Sequence, residues 1–235
     1  MWNNAPLLRA FANTMIASSV LAMLYGAVYY AVHLPGLFPL QSVNLSAAPE
    51  RVDAAQVLQV VRNEARGNFF TVDIERLRSA LEQLPWVRSA SIRREFPRSL
   101  GLRLEEYQAL AHWNDSALVS RQGEVFAANT DQDLPDFVGQ EGTAAEVTQQ
   151  YQQFTRLLAP LDLQVTRLVL SPRHAWQLRL NNGMVLELGR EDMLQRLARF
   201  VEVYPSSLAA IQGKVKYVDL RYSNGFAVNG LTKQG

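Results

Sequence analysis

Residues 11–32 read FANTMIASSVLAMLYGAVYYAV, a stretch without a single charged side chain. At about 1.5 Å of rise per residue, a helix of this length reaches roughly 33 Å, enough to cross a hydrocarbon core of about 30 Å. Its polar members are Asn13, Thr14, Ser18 and Ser19. The three hydroxyls can bond back to carbonyls of their own helix and so cost little. Trp2 precedes the run and Tyr25, Tyr29 and Tyr30 fall in its last third, as expected of aromatics that favour the headgroup level. A cleavable signal peptide is the alternative. Its apolar region would span about 7–15 residues and end at a small-x-small site. This run is longer and leaves through Tyr29-Tyr30-Ala31-Val32-His33-Leu34-Pro35, so a retained anchor is expected.

Charge supports the same division. Arg9 is the only charged side chain before Glu50, which by the positive-inside rule favours an inside N-terminus on one or two charges. Residues 33–235 then hold all 22 acidic residues and every other basic one, for a net charge of zero. No basic block interrupts that balance, which argues against a nucleic-acid surface. There is no cysteine, so disulfides and thiolate metal sites are excluded.

Beyond a stiff exit segment, Leu34 to Pro39, the pattern predicts a strand at 40–46. A helix follows from its cap Asp53 to Arg66, with Ala54, Val57, Leu58, Val61 and Ala65 as its buried stripe. Gly67 stops it. A second helix starts at Asp73, turns Ile74, Leu77, Leu81 and Leu84 inward, and ends before Pro85. Strands at 87–95 and 100–107 complete a β-α-α-β-β unit. From Ala109 the chain reads as a β-rich domain with flanking helices, expected at 143–158 and at 191–204 ahead of Pro205. The second helix turns Leu194, Leu197, Ala198 and Val201 inward. Asn181-Asn182-Gly183 marks a hairpin between strands at 176–180 and 184–188. Strands are expected at 165–171 and 215–222, with a short last piece at 226–228. The fold class is α+β behind one transmembrane helix. The expected division is 1–10 before the membrane, 11–32 across it, a linker at 33–39, domains at 40–108 and 109–230, and a tail at 231–235.

Catalytic patterns are missing. His33, His112 and His174 have no local metal-binding neighbour at helical spacing, and no P-loop, Gly-x-Ser-x-Gly or Gly-x-Gly-x-x-Gly occurs. Glu105 and Glu106 are adjacent on a strand and so point to opposite faces, a poor acid–base pair. No enzyme activity and no cofactor is expected, although residues distant in sequence can still meet. A membrane-anchored periplasmic hydrolase is therefore the enzymatic alternative.

Gly67-Asn68-Phe69-Phe70-Thr71-Val72-Asp73, Leu84-Pro85-Trp86-Val87 and Arg93-Arg94-Glu95-Phe96-Pro97 resemble a POTRA domain. Ala111-His112-Trp113-Asn114, Arg173-His174-Ala175-Trp176-Gln177-Leu178, Leu188-Gly189-Arg190, Arg196 to Val201 and Val218-Asp219-Leu220-Arg221-Tyr222 continue the likeness in order. Together they resemble the FtsQ/DivIB family of bacterial cell-division proteins, over the whole chain. The resemblance implies a non-enzymatic, single-pass inner-membrane protein of the division septum. Its N-terminus would be cytoplasmic and its POTRA and β domains periplasmic. It would bind FtsB and FtsL and help bring in FtsW and FtsI for septal peptidoglycan synthesis, with no nucleic acid or small-molecule substrate. Residues 1–10 would leave room for only a small cytoplasmic contact. A POTRA-containing outer-membrane assembly or secretion factor is the other alternative, but its long β-barrel does not fit in the remaining chain.

In this family FtsB adds a strand near the end of the β domain, which here corresponds to 217–228. An edge strand offers unpaired N–H and C=O groups to a partner. The resemblance assigns Tyr222 and Phe226 to side-chain pockets at that contact, and Arg173 and Arg221 to carboxylates of FtsB. From the residues alone, the two aromatics read as core and the arginines as solvated. Some relatives carry Gly-Trp after this strand where Asn229-Gly230 stand here. Gly67, Phe69, Phe70, Pro85 and Trp86 are read as POTRA fold residues that close turns and fill its core.

Overall fold

The computed structural model describes residues 5–34, 36–209, 215–222 and 225–230. Trp2, Pro35 and the tail after Gly230 lie outside them. The chain divides into two compact units, meeting between Glu106 and Tyr107.

The first unit begins with α1, Ala5–His33, which extends the expected span at both ends. It is the one helix among the described residues long and apolar enough to cross a membrane, and none of its residues is buried. The hydroxyls of Thr14, Ser18 and Ser19 donate to the carbonyls of Ala10, Thr14 and Met15, so these three are satisfied inside the helix.

Strand β1 (Ser42–Leu45), helices α2 (Ala54–Glu64) and α3 (Ile74–Glu82), and strands β2 (Val87–Glu95) and β3 (Ser99–Glu106) follow in the expected β-α-α-β-β order. The sheet order is β1-β3-β2, with β1 parallel and β2 antiparallel to β3. Asp53 and Asp73 cap the helices by accepting from the N–H groups of Ala55 and Arg76. Leu77 and Leu81 are buried, as their spacing requires. The α2 stripe is narrower than expected: Val57 and Val61 are buried, whereas Ala54 and Leu58 face solvent. Leu58 follows Val57 by one residue and so stands about 100° further round the helix, outside the buried side. Helix α2 also ends at Glu64, two residues before Arg66.

The turn after α2 is organised by a residue that periodicity does not reveal. Asn68 is fully buried. Its Oδ1 accepts from the N–H groups of Phe70 and Thr71 at 2.9 and 3.0 Å and from the Thr71 hydroxyl at 3.0 Å. Its Nδ2 donates to the carbonyls of Val32 at 2.6 Å and Leu34 at 3.2 Å, at the exit of α1. Gly67 stands at φ +107°, and a Cβ there would lie 2.8 Å from Thr71 Oγ1, so the turn admits no side chain at that position. The two phenylalanines part company: Phe69 is buried, while Phe70 is 42% exposed. Phe70 therefore does not fill the POTRA core. Trp86 is buried under the Arg51 guanidinium, 4.8 Å from its ring centroid, and Pro85 is exposed in the turn before it.

In the second unit, strands β4 (Ala109–Trp113), β5 (Ala117–Ser120), β6 (Val125–Phe126) and β7 (Asp136–Val138) precede α4 (Ala144–Leu158). Then come β8 (Val165–Leu170), β9 (Trp176–Leu180), β10 (Val185–Gly189), α5 (Met193–Ser207), β11 (Tyr217–Asp219) and β12 (Ala227–Asn229). All nine strands join one sheet in the order β12-β11-β10-β9-β8-β7-β4-β5-β6. Two parallel pairs, β7 with β8 and β10 with β11, are each bridged by a helix. Both crossovers step the same way along the sheet from strands of the same direction. The right-handed rule for such connections then puts α4 and α5 on one face. Under them runs a buried row in register, Leu168, Leu178, Leu186 and Val218, with Phe154, Leu197 and Phe200 from above. The next row, Val169, Gln177, Glu187 and Asp219, points to the other face.

Helix α5 departs from expectation at its end. Pro205 lies inside it, and the helix continues to Ser207. This close to the C-terminus, proline removes only the bond to the Val201 carbonyl. The buried side of α5 is Leu197, Phe200 and Tyr204, while Leu194 is exposed. The strand expected at 215–222 is ordered as a ladder only over Tyr217–Asp219, and the last piece is shifted to Ala227–Asn229.

Leu197→Asp, which puts a carboxylate under α5 with no partner, should unfold the second unit; circular dichroism should show loss of its helices and strands. Asn68→Ala should lower the stability of the first unit by about 1–3 kcal/mol in urea unfolding, because it strands buried N–H and C=O groups.

Candidate functional site

The sheet of the second unit ends at β12, which pairs with β11 on one side and with no described strand on the other. Its register sets Asn229 against Tyr217, Val228 against Val218 and Ala227 against Asp219. Ala227 and Asn229 are exposed, Val228 half-buried. A three-residue edge on a wide sheet is an open template for an added strand.

The four residues assigned to this contact come to the region in different states. Arg221 follows β11 and lies against Gly189, the last residue of β10. Arg173 lies in the turn between β8 and β9, whose first pair is Leu170 with Trp176; Trp176 in turn pairs with Gly189. Both arginines thus stand at one end of the sheet, two to three strand spacings or about 10–14 Å apart. Arg173 is exposed and has no ion pair among the described residues. Tyr222 is 56% exposed, and its carbonyl accepts from Arg199 Nη1 at 3.3 Å. Phe226 is half-buried, its ring centroid 6.5 Å from that of Phe200, so one side of it already belongs to the core.

Arg221 is engaged within the chain. Its Nε and Nη2 donate to the two carboxylate oxygens of Asp219 at 2.9 and 2.6 Å, and its own N–H donates to Oδ1 at 3.0 Å. The Asp219 side chain is nearly buried, whereas that of Arg221 is mostly exposed. These hydrogen bonds hold the Asp219 carboxyl below the usual carboxylate range, and Asp219 in turn raises the Arg221 guanidinium. Burial, then the charge of Glu187, push the neighbouring Tyr217 phenol up. Gly189 makes the arrangement possible: at φ +73°, a Cβ there would lie 3.0 Å from Arg196 Nη1 and 3.1 Å from Arg221 Cγ. Sequence reasoning missed Asp219, Gly189 and Arg196 as members of this group. The available signal was an acidic residue alternating with Val218 and Leu220 in an apolar strand.

Elsewhere the carboxylates do structural work. Glu106 accepts from the N–H groups of Glu50, Arg51 and Val52. Glu105 is held low chiefly by the Ser89 hydroxyl and then by Arg88. Among the described residues no group of three or more His, Asp or Glu could hold a metal ion.

An apolar N-terminal helix, a β-α-α-β-β unit and a helix-backed sheet with an open edge define a membrane-anchored POTRA-type protein. Residues 38–107 match the family model of the POTRA domain, FtsQ-type, and residues 111–221 that of the cell division protein FtsQ/DivIB, C-terminal. The chain is 43% identical over 235 residues to the cell division protein FtsQ of Nitrosospira multiformis, covering 98% of this chain and 99% of that one. It is 41% identical over 235 residues to that of Burkholderia pseudomallei, covering 97% and 94%. To that of Escherichia coli it is 41% identical over 170 residues, covering 69% and 62%. The chain belongs to the FtsQ/DivIB family of cell-division proteins.

Asp219→Asn should destabilise the second unit by about 1 kcal/mol at neutral pH, a modest figure because Arg221 is largely solvated. A carboxylate whose folded pKa is depressed stabilises fully above its unfolded value, near about 4, and loses that contribution as pH falls through the folded value. Urea unfolding should therefore show a constant gap between wild type and Asp219→Asn above about pH 5, closing in acid.

Proposed function

We propose that this chain is a non-enzymatic assembly protein of the division septum. It crosses the inner membrane once, with residues 1–10 in the cytoplasm and domains at 40–108 and 109–230 in the periplasm. The β domain binds FtsB, with FtsL, and the complex links early division proteins to FtsW and FtsI. The single observation that carries this reading is the edge at β12, unpaired by any described strand, with Tyr222 exposed after β11 and Arg173 without an ion pair among the described residues at the same end of the sheet as Arg221. A partner strand added there would gain main-chain hydrogen bonds from β12 and an aromatic contact from Tyr222. Arg173 suits a carboxylate of the partner. Arg221 plays a different part: bound to Asp219, it presents a fixed guanidinium face rather than a searching one. Membership of the FtsQ/DivIB family supports a role in cell division and replaces the outer-membrane alternative.

Tyr222→Ala and Arg173→Glu should each weaken binding of a periplasmic FtsB segment about tenfold, an effect of about 1.4 kcal/mol. A pull-down paired with circular dichroism measures this; unchanged binding by both folded variants would overturn the assignment. Arg221→Glu is a poor probe, since it sets a second carboxylate against nearly buried Asp219 and threatens the fold. In dividing cells, a fluorescent fusion should reach midcell late.

A further inference from the structure

The first unit carries an exposed aromatic patch beside the exit of α1. Leu37, Phe38, Phe70 and Phe96 are 44%, 37%, 42% and 81% exposed. Leu37 adjoins Phe38 in the chain, and the three exposed rings are linked through buried Phe69. Phe38 meets Phe70 edge-on at 5.1 Å between centroids, Phe70 meets Phe69 at 5.1 Å, and Phe69 meets Phe96 at 6.3 Å. A packed core would take such side chains, and the POTRA core leaves them out.

Hydrogen bonds tie the patch close to the helix end. Asn68 Nδ2 bonds the carbonyls of Val32 and Leu34, and the Phe69 N–H donates to the Phe38 carbonyl at 3.0 Å. From beneath, the Arg94 guanidinium donates to the carbonyls of Phe69, Phe70 and Val72 at 3.0, 3.4 and 2.9 Å. Phe70 is only two residues from Asn68, so its backbone stays within about 7 Å of it. The apolar run ends at Val32, before His33 and Pro35, and Tyr29 and Tyr30 lie just inside its end. Headgroup layers add about 5–7 Å on each side of the hydrocarbon. The patch therefore falls at headgroup depth. The segments that carry it, residues 33–41, 66–72 and 96–98, contain Arg66 and Arg98 and no Asp or Glu. Glu95 turns to the opposite face, where it accepts from Asn44 Nδ2 at 3.0 Å.

We propose that Leu37, Phe38, Phe70 and Phe96 form a second membrane contact, seating the POTRA unit on the bilayer surface at a fixed orientation to α1. Aromatic rings partition into the interfacial layer, and the two arginines meet anionic headgroups without a neighbouring carboxylate to repel them. The occupant is the bilayer itself, by continuity with the helix that already lies in it. This inference rests on α1 being a membrane anchor and not on the identity of the periplasmic partner.

The absence of native cysteine allows single labels on the full chain. Leu24→Cys, Phe96→Cys and Gln83→Cys, the last at the far end of α3, carry bimane in vesicles of phosphatidylcholine and phosphatidylglycerol. Nitroxide-bearing lipids should quench the Leu24 label from deep positions, which establishes the anchor independently. Shallow nitroxides should quench the Phe96 label several-fold more than the Gln83 label. Adding Phe70→Glu should bring the Phe96 signal down towards the Gln83 level while circular dichroism stays unchanged. Two results would overturn the contact while leaving the anchor intact. One is equal shallow quenching of the Phe96 and Gln83 labels, with iodide reaching both. The other is a Phe96 label shielded from both quenchers until the protein is diluted, which would make a second copy the occupant.

Discussion

An open β-sheet is stable only if one of its faces is kept from water, and in the second unit that constraint shapes everything else. Leu168, Leu178, Leu186 and Val218 sit side by side across four strands, and α4 and α5 lie over them. Both helices reach that face because both bridge parallel strands in the same sense. The price of this arrangement is an edge. Among the described residues no strand closes the sheet on itself, so β12 ends it with backbone groups unpaired by any described strand.

That edge is not left bare chemically. The pairing of Arg221 with Asp219 fixes the chain as it leaves β11, and Gly189 gives two arginines room to cross the end of β10. The result is a stiff, cationic corner next to a short strand. For a partner that docks by strand addition, little ordering of this side would remain to be done on binding.

The first unit meets a different constraint: a helix that leaves a membrane must hand its last carbonyls to something. Here Asn68 takes them, using a side chain that also closes the turn between α2 and α3. These two bonds tie the end of the helix to the turn after α2. Such coupling lets the position of the helix in the bilayer set the height of the residues attached to it.

Much of this was legible in the sequence, because local rules govern it. The charge-free run from 11 to 32, the caps Asp53 and Asp73, the 3-4 spacing of Leu77 and Leu81, and the Asn-Gly turn before β10 all depend on near neighbours. The motif order likewise led to the family. What periodicity could not decide was which member of an apolar pair enters the core. Phe69 and Phe70 look alike in sequence, yet only Phe69 is buried; Leu58 and Leu194 likewise sit on the dry stripe by spacing and in water by geometry. The site shows the same limit. Tyr222, Arg221 and Arg173 can be named from the sequence, but that Arg221 and Arg173 stand at one end of the sheet follows only from the strand order. Asp219 takes its role from a guanidinium two residues away and from burial that the whole sheet provides. The sequence by itself determined the anchor, the elements and the family, since those follow from composition and short-range spacing. The tertiary structure alone decided the open edge, the occupied arginine and the exposed aromatic patch, since each depends on which distant segments the fold brings into contact.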